Sequence, residues 1–287
     1  MKTRKYIFCF CLFLFANKIF PQRVVSMAPA ITEIVFALDK GATLVGVTKF
    51  CDYPAAAAKI AKIGGLLDVN MEAILALNPE IIIAYPEQYG QVKFLESRIR
   101  VLVVKHQTLS DLFSSLQTIG GALHAEAAAK GMVAAMQKKL AAIAAKKNGG
   151  EKMRVLIIAG RNADQLKNMY IVGKNDFLNE LLEIAGGVNA YQGGVNYPNI
   201  SLETVIALDP DVILEISAHY EGIRDEKVYE LWRPFTMLKA VRSRNIKIIK
   251  KSYWLRPGSR VVQIAEELAG ILVPATKLLR AERRTDS

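Results

Sequence analysis

The sequence predicts an α/β fold of two lobes with parallel sheets, joined by one long α-helix. Three observations carry that prediction. Short β-branched runs alternate with helix-like segments, and the alternation restarts after residue 150. Between the two series lies Ala122–Lys147, rich in alanine and lysine and free of proline. A helix–proline–strand unit also recurs at an offset of 131 residues without a gap. Strands that alternate with helices call for parallel sheets covered by helices.

The chain opens with Lys2, Arg4 and Lys5, followed by the apolar stretch Tyr6–Ala16. That is the layout of a secretory signal, and it is shorter than the roughly 18 residues a membrane-spanning helix needs. Residues 1–20 are therefore expected to be an export segment. The bulky Phe8 and Phe10 before Cys9 and Cys11 argue against a lipid attachment at either cysteine. Removing the segment takes away four cations and no acid, so the formal charge falls from +11 to +7. Cys51 is then the one remaining thiol, which excludes a disulfide framework.

With 52% hydrophobic and 23% charged residues, disordered and collagen-like classes are excluded. The remaining lysines are spread out, and no basic stripe is interleaved with aromatics, so no nucleic-acid partner is expected. Val24–Ser26, Leu44–Val47, Ile81–Ala84 and Val101–Val104 read as buried strands of a first lobe over residues 21–121. Ile31–Leu38, Met71–Leu77 and Leu109–Gly120 read as its helices. Next comes the linking helix over residues 122–147, in which Val133, Met136, Leu140 and Ile143 share one face. Fully helical, it would measure roughly 39 Å at 1.5 Å per residue. Asn148-Gly149-Gly150 would stop it. The second lobe, residues 148–287, offers the strands Val155–Ala159, Val212–Ile216 and Ile246–Ile249. Its helices are Phe177–Ala185, Leu202–Leu208 and Arg260–Leu272.

The repeat aligns residues 71–83 with residues 202–214, with five identical positions and mostly conservative swaps elsewhere. Pro79 and Pro210 end the two helices, because a proline disfavours helical geometry in the residue before it. Glu72 and Glu203 each fall in a first helical turn, where the helix dipole favours a carboxylate. As a matched pair in two lobes, they make two acidic knobs suited to a partner with two basic sockets.

Four stretches carry a family resemblance: residues 23–33 (RVVSMAPAITE), residues 45–54 (VGVTKFCDYP), the two glutamate-containing repeats, and residues 254–260 (WLRPGSR). Through them the sequence resembles the periplasmic substrate-binding proteins of ABC importers. The specific likeness is to the helical-backbone class that handles cobalamin, iron–siderophore complexes and haem. The resemblance implies two Rossmann-like lobes with a ligand in the cleft between them, and Glu72 and Glu203 docked on arginines of a membrane permease dimer. It implies a monomeric carrier of a metal chelate in the periplasm, without a cofactor or catalytic residues of its own. Ala30 departs from the family, where a polar helix-capping residue is usual; losing such a cap costs about 1 kcal/mol.

Ligands at open α/β sheets sit beyond the carboxyl ends of the strands. On the resemblance, the cleft residues are Phe50, Tyr85, Tyr197, Tyr253, Trp254 and Arg256, an aromatic rim with one guanidinium that suits a flat or bulky chelate. The Phe50–Pro54 segment and Trp254 resemble the corrinoid branch most, whereas Leu66 stands where corrin-binding relatives often place an aromatic. The alternative is a receptor for a bare zinc or manganese ion, for which His106 and His219 follow predicted strands. An α/β enzyme is the third reading, but the sequence has no dinucleotide fingerprint, phosphate loop, nucleophile elbow or zinc-protease motif.

Overall fold

A computed structural model describes residues 22–146, 152–217 and 224–272. The expected export segment, the glycine stop after the linking helix and His219 lie outside the described residues.

The first sheet is parallel throughout. Its strands are β1 (Val24–Ser26), β2 (Leu44–Val47), β3 (Ala61–Lys62), β4 (Ile81–Ala84) and β5 (Arg100–Val103), in the order β3-β2-β1-β4-β5. The central strands are buried on both faces, which is why they read as unbroken apolar runs. Val24, Ile81 and Ile83 pack into the core with helices α1 (Pro29–Ala37) and α4 (Leu109–Ala122). On the opposite face, Val25, Ile82 and Ala84 pack with Ile74 of α2 (Met71–Ala76) and Val92 of α3 (Pro86–Val92). Cys51 is buried beside the hydroxyls of Thr32 and Thr48, each 3.2 Å from its sulfur.

The helix expected over residues 122–147 is α5 (Glu126–Ala145), and it starts later than the composition suggested. The helix before it, α4, runs on to Ala122, and the chain reverses through Leu123–Ala125, with His124 in the left-handed region at φ 52°. Ala125 N–H closes the turn on the Gly120 carbonyl at 2.7 Å. Beyond it, Ala129, Val133, Met136 and Leu140 form the buried stripe of α5.

The second sheet contains β6 (Arg154–Gly160), β7 (Met169–Ile171), β8 (Val188–Asn189), β9 (Asn199–Ile200), β10 (Val212–Ile216) and β11 (Ile246–Ile249). Its path is β11-β10-β6-β7-β9, with β8 paired to β6. Strands β11, β10, β6 and β8 are parallel as expected, but β7 runs antiparallel to both of its neighbours, β6 and β9. The connection between β6 and β7 explains the difference. It spans only residues 161–168, too short for the crossover of a dozen or more residues that a parallel neighbour requires. Helices α6 (Phe177–Ile184), α7 (Leu202–Leu208), α8 (Asp225–Trp232) and α9 (Lys239–Arg242) cover the sheet, and residues 261–272 are helical.

The repeat extends into backbone geometry. Val24 pairs with Ile81, and Val155 pairs with Val212, each position shifted by the same 131 residues. Glu80 N–H meets the Arg23 carbonyl at 2.8 Å, and Asp211 N–H meets the Arg154 carbonyl at 2.8 Å. Asn70 and Ser201 cap α2 and α7 through side-chain oxygens, and Asn78 (φ 45°) and Asp209 (φ 40°) leave those helices in the left-handed region.

Candidate functional site

A cavity of about 370 Å³ opens between residues of the two halves. This falls within the usual range for a small-molecule site, roughly 300–1,000 Å³. Glu87, His106 and Gln107 reach it from beyond β4 and β5. From the other half come Ala159 at the end of β6, Asp176 and Phe177 at the start of α6, Asn196 and Tyr197 before β9, and Leu255 and Pro257 after β11. The lining therefore gathers at strand ends, where the sheet's connections diverge and leave a crevice.

Two polar pairs face each other across this space. On one side His106 Nε2 lies 3.3 Å from Glu87 Oε2, and the imidazole sits against the Tyr85 ring with centroids 3.9 Å apart. Burial pushes the Tyr85 hydroxyl well above its ordinary range, with the charges of Glu33 and Glu87 adding to the effect. On the other side Asp176 caps α6, accepting from Leu178 N–H at 2.9 Å, and also accepts from the Tyr197 hydroxyl. Burial lifts the Asp176 carboxyl to about 6, against the opposing pull of those two hydrogen bonds. Tyr197 is 41% exposed along its length, but its hydroxyl end turns inward to Asp176. Burial, then the Asp176 charge, raises that hydroxyl in turn.

Of the six residues expected at the cleft, Tyr197 lines the cavity and Tyr85 stacks directly behind its wall. Phe50 is exposed in the loop after β2, with Lys49 Nζ 5.2 Å from its ring centre. Arg256 is turned away from the cavity: Nη1 donates to Asp52 at 2.6 Å and Nη2 to the Phe50 carbonyl at 3.4 Å. The ion pair outweighs burial and holds the Asp52 carboxyl below its usual range.

Trp254 and Tyr253 lie in a single tight turn, Ser252–Leu255, and both are buried. Trp254 is 0% exposed, with Nε1 donating to Glu267 at 2.8 Å, and the Tyr253 hydroxyl donates to the same carboxylate at 2.5 Å. Lys251 adds a third contact at 2.8 Å. Although burial alone would raise it, these donors hold Glu267 below the usual carboxylate range. The two rings thus support the turn that sets Leu255 and Pro257 on the wall, instead of facing the cavity themselves. An exposed aromatic and a buried one read alike in sequence; what separates them here is Glu267, a polar partner on the following helix. Asp176, Glu87 and Asn196 were not singled out from sequence. The accessible signals were helix starts: Asp176 before an apolar-periodic segment, and Pro86-Glu87 directly after a strand.

Glu72 and Glu203 stand exposed in the first turns of α2 and α7. A hydrogen bond from Ser201 holds Glu203 below the ordinary range. Among the described residues no group of three or more His, Cys, Asp or Glu is placed to hold a metal ion, and no helix is long and apolar enough to cross a membrane.

A family model described as periplasmic binding protein matches residues 24–253. The ABC transporter substrate-binding lipoprotein YvrC of Bacillus subtilis is 29% identical, over 89% of this chain and 81% of its own. The vitamin B12-binding protein of Vibrio parahaemolyticus is 26% identical, over 87% of this chain and 90% of its own. Among solved structures, the periplasmic haem-binding protein RhuT from Roseiflexus superposes with a TM-score of 0.75 at 25% identity, covering 88% of this chain and 98% of its own.

Proposed function

The chain belongs to the periplasmic binding protein family, and from that premise we propose that it captures a metal chelate and hands it to an ABC importer. Corrinoids are the favoured class within that reading, ahead of haem and ferric siderophores. Residues 21–121 and 148–287 serve as the two lobes and residues 122–147 as the segment between them. The protein acts as a monomer in the periplasm, exported by residues 1–20. It catalyses no reaction of its own, and the importer's ATPase supplies the energy.

The observation that carries this reading is the cavity at the strand ends of both sheets, together with acidic knobs at equivalent positions of the two repeats. Tyr197 and Tyr85 belong to the ligand's surroundings, and Phe50, steadied by Arg256 through its own carbonyl, forms part of the mouth. Tyr253 and Trp254 contribute by holding the wall. Glu72 and Glu203 dock on basic residues of the two permease subunits. Charged pairs that become desolvated in such a complex typically cost 2–5 kcal/mol to truncate.

The test separates capture from delivery. Titration with cyanocobalamin, haemin and ferric siderophores identifies the ligand class by saturable binding. Glu72→Ala with Glu203→Ala should leave that affinity within about twofold while lowering affinity for the permease–ATPase complex by at least about thirtyfold. Intact docking in the double variant would refute the role of the two glutamates.

A further inference from the structure

Building on the receptor reading above, we propose that the cavity selects its chelate by charge. It admits a neutral or cationic complex whose rim presents amide or hydroxyl hydrogens, and it disfavours complexes whose rim carries carboxylates.

Two carboxylates from opposite halves, Glu87 and Asp176, face the same cavity. His106 is the one basic side chain among its described lining residues, and it is already hydrogen-bonded to Glu87. Four cations on neighbouring segments are engaged elsewhere. Arg256 pairs with Asp52 at 2.6 Å, Arg260 with Glu33 at 2.9 Å, and Lys251 with Glu267 at 2.8 Å. Arg161, at the end of β6, is buried against Glu215. A carboxylate entering the cavity would lose water, meet two like charges and find, among the described lining residues, only His106 as a basic group, already bonded to Glu87. Burial already lifts Asp176 to about 6, so the site resists even the charge it owns.

Amide hydrogens fare differently. The Glu87 and Asp176 oxygens are acceptors, and Gln107 and Asn196 offer both an acceptor and a donor. Ala159, Phe177, Leu255 and Pro257 supply the apolar part of the lining, against which a macrocycle can pack. Charge thus discriminates among chelates of similar size and metal content, where shape alone would not.

The experiment holds the ring constant and changes its rim. Isothermal titration of the purified protein would compare cyanocobalamin and dicyanocobinamide, which carry amides, with cobyrinic acid, which has carboxylates in their place. Haemin and ferric enterobactin extend the anionic set. The amide-bearing corrinoids should bind at least about tenfold tighter than cobyrinic acid. Glu87→Gln, alone and combined with Asp176→Asn, should narrow that ratio mainly by improving the anionic ligand. Asparagine caps a helix as well as aspartate does, and a thermal melt checks that the variants fold. Anionic chelates that bind as tightly as neutral ones, or a ratio unmoved in the folded double variant, would overturn charge selection while leaving the receptor reading intact. Binding of no chelate in either set would bring down the receptor reading itself.

Discussion

Asp176 joins stability to the cavity through one proton. Its carboxyl sits at about 6 in the folded protein, against an ordinary value of 3.8. The folded state therefore binds more protons than the unfolded chain between those values, and stability falls as pH rises through that window. The contribution is fully present below pH 3.8 and is lost once the pH passes about 6. The shift corresponds to a cost on the order of 3 kcal/mol at pH 8. Asp176→Asn removes the charge and keeps the cap, so its melting temperature relative to wild type should climb between pH 5 and pH 8. An unchanged difference across that range would show that the carboxyl titrates normally. The same residue marks what sequence reading could reach. A cap before an apolar-periodic run is legible, but the inward turn of the Tyr197 hydroxyl that makes the cap part of a site depends on contacts made by a distant loop. Trp254 is the converse case, since its neighbours in sequence suit a cleft and only Glu267 draws the indole inward.

Elements were legible wherever one periodicity ran unopposed. The repeat predicted two helix–turn–strand units, and their caps, left-handed exits and strand register agree position by position. The antiparallel pairing of β7 with β9 escaped because the two strands are three and two residues long, too short for alternation to register. The start of α5 escaped for a different reason. Alanine favours helix on both sides of His124, and what breaks the helix there is the packing of α5 back on α4. Two adjacent glycines test that account. A Cβ at Gly120 would lie 2.4 Å from the Ala129 Cβ, whereas one at the exposed Gly121 meets nothing within 4 Å. Gly120→Ala should destabilise by about 1–3 kcal/mol through forced separation of the helices. By contrast, Gly121→Ala should stabilise by about 1 kcal/mol through helix propensity. Chemical denaturation of both variants decides it, and equal responses would mean that the α4–α5 contact is slack.

At the scale of the whole molecule, α5 is only one of the links between the halves. Behind the cavity, Phe177 N–H donates to the Gln107 carbonyl at 2.7 Å, and Leu109 N–H donates to Glu180 at 2.6 Å. To one side, the segment after β11 returns to the first half, where Arg260 forks onto the buried Glu33 of α1. The Arg260 guanidinium also lies between two rings, 4.2 Å from the centre of Tyr53 and 4.3 Å from that of Tyr253. Close by, Arg256 ties Asp52 in the Phe50 loop to the same segment. These two ties differ in burial, and so in weight. The Glu33 side chain is 1% exposed, so removing Arg260 leaves a buried carboxylate with only the longer Arg256 contact at 3.6 Å, and breaking a buried pair typically costs 3–5 kcal/mol. Asp52 is 63% exposed, and an exposed ion pair is worth about 0–1 kcal/mol. Arg260→Met should therefore destabilise strongly, and Arg260→Lys should recover only part of the loss, since an ammonium cannot fork or stack as a guanidinium does. Asp52→Asn should be nearly neutral. If the Arg260 tie also sets the resting distance between the lobes, small-angle scattering of Arg260→Met should show a larger radius of gyration under conditions where its circular dichroism is native. An unchanged radius in a folded Arg260→Met would leave α5 and the Gln107–Leu109 contacts as the elements that hold the cleft.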